Sequence, residues 1–126
     1  MSTTQKLMVF GPADTLERMS KTILEASSPQ YHYHVDVQGG HSVFVMVFEE
    51  HHKLMNSSIS VTLVLHYNGS SVRADIVSTG GRMGFRGSNP EGETPLNEAV
   101  TDLILDYGKR FGLTIQEVSD KAGANS

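Results

Sequence analysis

The sequence predicts an α+β domain, an antiparallel curved sheet of four to five strands with two helices on one face, in the order β-α-β-β-β-β-α. Three observations carry this. Leu96, Val100, Leu103, Ile104, Tyr107 and Phe111 recur at helical spacing and form one apolar stripe. Stretches in the middle of the chain alternate apolar and polar side chains with a period of two, as half-buried strands do. Between them stand Gly39-Gly40 and Asn68-Gly69, dipeptides that suit tight hairpin turns.

Residues 6–10 (KLMVF) read as a short strand ended by Gly11-Pro12. Asp14 and Glu17 have the spacing of a capping box, and Leu16, Met19, Ile23 and Leu24 give a first helix one apolar face. Gly11 as cap with Pro12 in the first turn is the alternative start. Residues 31–38 then alternate strictly, Tyr31, Tyr33, Val35 and Val37 against His32, His34, Asp36 and Gln38. A two-residue turn at Gly39-Gly40 pairs Val35 with Phe44, Tyr33 with Met46 and Tyr31 with Phe48. It leaves His32, His34 and Asp36 opposite Val47, Val45 and Val43.

A polar connection over residues 50–56 leads into Ile59, Val61, Leu63 and Leu65. A two-residue turn at Asn68-Gly69 pairs Leu65 with Val72, Leu63 with Ala74 and Val61 with Ile76. Residues 79–93 contain five of the twelve glycines and read as a loop. Thr94 is a good N-cap for the last helix, with Pro95 in its first position and Lys109 and Arg110 near its negative pole. Gly112 suits the left-handed position after the helix, with Leu113 folding back on the last turn. Residues 1–118 are expected to form a single domain and residues 119–126 a flexible tail.

Composition narrows the function classes. The 126 residues carry a formal net charge of −4, and the ten Lys and Arg are scattered, so no basic stripe for nucleic acid is present. There is no cysteine, which excludes disulfides and thiolate metal sites. No apolar run approaches the ~18 residues of a membrane span. The opening MSTTQK lacks the plan of a signal peptide, so a cytoplasmic location without membrane contact is expected.

Candidate chemistry is sparse. His32 and His34 share one strand face, but a metal site needs a third converging ligand, and Asp36 lies further along the same strand, so no metal is expected. Gly80 and Gly81 with Arg82 and Arg86 could form a backbone nest for an anion before a helix, yet they lack the Lys-Ser/Thr ending of a phosphate loop. Val43, Val45, Val47, Val64 and Val77 fall on the sheet face away from the helices, where nothing in the chain covers them. Tyr31, Tyr33, Phe44, Met46, Phe48 and Tyr107 would line any cavity between sheet and last helix, or simply fill the core. No GxSxG elbow is present, and Glu49 and Glu50 point to opposite strand faces, which argues against an enzyme and requires no cofactor.

From Ser42 onward, HSVFVMVFEEH, SSISVTLVLHYNG, VRADIVSTGGRMGF and EGETPLNEAVTDLILDYG follow one another in a recognisable order. This order resembles the short bacterial proteins grouped as a domain of unknown function, the family numbered 6054. The resemblance implies a fold and a bacterial origin. It implies no activity, so no functional residue is carried over from it. The expectation is a non-enzymatic binding or assembly protein, a homodimer through the valine face. The alternatives are a carrier of a small apolar ligand, and an anion- or metal-dependent enzyme using the Gly-rich loop or His32 and His34.

Overall fold

Eight elements follow one another in the computed structural model, which describes residues 2–52, 57–80 and 96–118. They are β1 (Ser2–Phe10), α1 (Thr15–Ala26), β2 (Tyr31–Val37), β3 (His41–His52), β4 (Ser57–Tyr67), β5 (Val72–Gly80), α2 (Leu96–Phe111) and β6 (Thr114–Val118). The strands form one antiparallel sheet in the order β2-β3-β4-β5-β1-β6. The α+β class and the two helices agree with the sequence. The strand count does not: the sheet has six strands rather than four to five. The additional strand is β6, five residues long with only Ile115 half-buried, too short for alternation to mark it.

Both helices pack on β4, and α2 also reaches β5 and β6. Between them and the sheet lies the core, with Leu7 and Val9 of β1, Met46 and Phe48 of β3, Leu63 and Leu65 of β4, and Ala74 and Ile76 of β5. Met19 and Ile23 of α1 and Val100, Ile104 and Tyr107 of α2 close it from above. The last helix buries a narrower stripe than its spacing predicts. Phe111 is 52% exposed and lies beside Tyr107, ring centroids 4.6 Å apart. Its end is as expected: Gly112 has φ +69, and the Leu113 N–H donates to the Gly108 carbonyl at 2.8 Å, a Schellman closure.

The start of α1 differs from the capping box. The Asp14 side chain makes no cap and instead pairs with Arg18 one turn on, at 2.9 Å. The Thr15 hydroxyl donates to the Pro12 carbonyl at 2.6 Å, so a turn built on Gly11-Pro12 opens the helix.

Both hairpins depart from the expected pairing, with unequal consequences. Asn68 Oδ1 accepts from the backbone N–H groups of Ser70 and Ser71, each at 3.0 Å, which widens the β4–β5 turn to residues 68–71. Leu65 therefore faces Ala74 rather than Val72, and Leu63 faces Ile76. The shift is two residues, so every side chain keeps its face. Between β2 and β3 the loop is residues 38–40, one residue longer than expected, and Val37 pairs with His41. Here the shift is one residue, and β2 turns over. Tyr31, Tyr33 and Val35 lie opposite Val47, Val45 and Val43, away from the helices, while His34 and Asp36 lie opposite Phe44 and Ser42 on the helix side. The pairing is chemically sound: the Ser42 hydroxyl donates to Asp36 Oδ1 at 2.7 Å, and Tyr meets Val across the strands.

Candidate functional site

The turned-over strand redraws both faces of the sheet. On the outer face, cross-strand rows run Tyr33-Val45-Val64 and Tyr31-Val47-Thr62-Val77, with Val35-Val43 beside them. Tyr31 is 56% exposed and Tyr33 51%, and the valines of β3, β4 and β5 in these rows are half-buried only by their neighbours. The expected interface residues Val43, Val45, Val47, Val64 and Val77 are thus brought together, and two tyrosines join them. At one end of the patch His41 Nδ1 and His66 Nε2 are 3.0 Å apart, and Arg73 Nε donates to Asp75 Oδ1 at 3.0 Å.

The six residues proposed to line a ligand cavity are not brought together. Phe44, Met46, Phe48 and Tyr107 belong to the packed core, whereas Tyr31 and Tyr33 stand on the other side of the sheet. The physical reason is the longer hairpin loop, whose extra residue reverses the parity of β2. Burial raises the Tyr107 phenol above the usual tyrosine range; Arg18 pulls it down, Asp14 pushes it up and Arg110 pulls it down in turn.

The expected anion nest is only partly visible. Gly81, Arg82 and Arg86 lie outside the described residues. Gly80 has φ +85, and a Cβ there would stand 2.7 Å from the Ser58 carbonyl oxygen, so glycine is required by the backbone and by β4. The flexible tail expected over residues 119–126 also lies outside them.

On the helix side, β2 extends beyond the cover of the helices and leaves a cleft against α1 of about 700 Å³. Leu16 and Leu24 of α1 with Phe44 and Tyr67 of the sheet form its apolar floor, and His34, Asp36 and Ser42 its polar wall. The His34 ring stacks on Phe44 at 5.3 Å between centroids, and its Nε2 lies 3.2 Å from Asp36 Oδ1. Serine, histidine and aspartate meet, but the carboxylate stands between the other two. The Ser42 hydroxyl donates to Asp36 rather than to His34, so the three do not form the Ser–His–Asp order of a catalytic triad. Sequence reading missed this wall because it placed His34 and Asp36 on the outer face. The available signal was Asp36 and Ser42 spaced evenly about the glycine turn, a hydrogen-bonding pair only in the observed register.

Among the described residues, no group of three or more His, Cys, Asp or Glu converges as a metal site, and no helix is long and apolar enough to cross a membrane. Comparison with family models, curated proteins and solved structures finds no match.

Proposed function

We propose that the protein is a non-enzymatic binding or assembly module that self-associates as a homodimer through the outer face of its sheet. The observation that carries this is the contiguous patch of Tyr31, Tyr33, Val43, Val45, Val47, Val64 and Val77, over which no described element lies. An uncharged centre meets its own copy without like-charge repulsion, as a two-fold contact demands. Charges of both signs, Arg73 and Asp75, stand at its border and suit the polar rim of such a contact.

Light scattering coupled to size exclusion tests this. At tens of micromolar the wild type is expected to elute with twice the chain mass, and Val45→Glu as a folded monomer with an unchanged circular dichroism spectrum. A wild type that stays monomeric at about 100 µM, a concentration reached by weak dimers, overturns the proposal.

A further inference from the structure

We propose that the cleft between α1 and the β2–β3 hairpin binds a small aromatic amine, its ring on the apolar floor and its ammonium group on Asp36. At about 700 Å³ the cleft has the size of a small-molecule site. Its floor is apolar and partly aromatic, through Leu16, Leu24, Phe44 and Tyr67, which selects a flat apolar body.

Its charge selects the head group. Asp14 is engaged by Arg18 at 2.9 Å, and Glu17 and Lys21 both line the cleft from α1. Asp36 is the carboxylate of the sheet wall, 76% exposed at the edge of the cleft. Ser42 and His34 both address its Oδ1, at 2.7 and 3.2 Å, which fixes the carboxylate and leaves Oδ2 to accept from a ligand. A charge-assisted hydrogen bond from a primary ammonium group suits that oxygen, whereas a carboxylate ligand meets a like charge there. This site lies across the sheet from the proposed dimer surface and does not depend on it.

Amide shifts of ¹⁵N-labelled protein titrated with tryptamine, indole and indole-3-acetate test the assignment. Tryptamine is expected to move amides of α1 and of residues 34–44, to bind more tightly than indole, and to bind far more tightly than indole-3-acetate. Asp36→Asn keeps an oxygen for Ser42 but removes the charge, and is expected to weaken tryptamine about fivefold, the upper range for an exposed ion pair. Val45→Glu, on the opposite face, is expected to leave the titration unchanged, which separates this result from the fate of the dimer. The proposal is overturned if millimolar tryptamine moves none of these amides, if indole-3-acetate binds equally well, or if Asp36→Asn has no effect.

Discussion

At the scale of single residues, Tyr107 makes stability depend on alkaline pH. Its phenol is raised by burial in the folded chain, so the folded state keeps the proton where the unfolded state has lost it. By linkage the contribution is complete below the unfolded value and declines as pH rises beyond about 10. Urea melts across that range are expected to show a decline that Tyr107→Phe lessens. Two glycines make a second comparison. Gly112 has φ +69 with open space around it, so Gly112→Ala should cost about 1 kcal/mol from backbone strain alone. Gly80 has φ +85 and also the Ser58 carbonyl oxygen in the way, so Gly80→Ala should cost more, about 2–3 kcal/mol by chemical denaturation. The C-terminal role of Gly112 was legible because Lys109, Arg110 and Leu113 surround it with consistent signals. That of Gly80 was not, because the demand comes from a strand far away in sequence.

At the scale of elements, parity decides what sequence can disclose. Alternation in β3, β4 and β5 was strong enough that a two-residue error in the Asn68 turn left Leu63 and Leu65 inside. In β2 the alternation pointed Tyr31, Tyr33 and Val35 inward, and the one-residue register shift put them outside. The choice came from tertiary partners, the Ser42 hydroxyl for Asp36 and the valines for Tyr31 and Tyr33. The valine patch was anticipated because it stands on β3, β4 and β5, and the cleft was not because His34 and Asp36 of its wall belong to β2. Adjacent residues of β3 should report the faces directly. Met46→Ala, emptying a fully buried site, is expected to cost about 2–5 kcal/mol, and Val45→Ala less than about 1.5 kcal/mol in denaturant titrations of the monomer.

At the scale of the whole molecule, the sheet is covered on one side and apolar on part of the other. If two copies close that side, dissociation measured by dilution calorimetry should show a positive heat-capacity change and little dependence on salt, since the centre of the contact carries no charge. The strand order has a separate consequence, for the history of the chain rather than its end state. β2 through β5 each pair with the strand next to them in sequence, but β1 waits for β5 on one edge and for β6 on the other. The strand that comes before the others described is thus among the last to find both partners, and slow closure of these distant pairings should set the refolding rate. Pulsed hydrogen exchange during refolding should find amides of β3 and β4 guarded before those of β1.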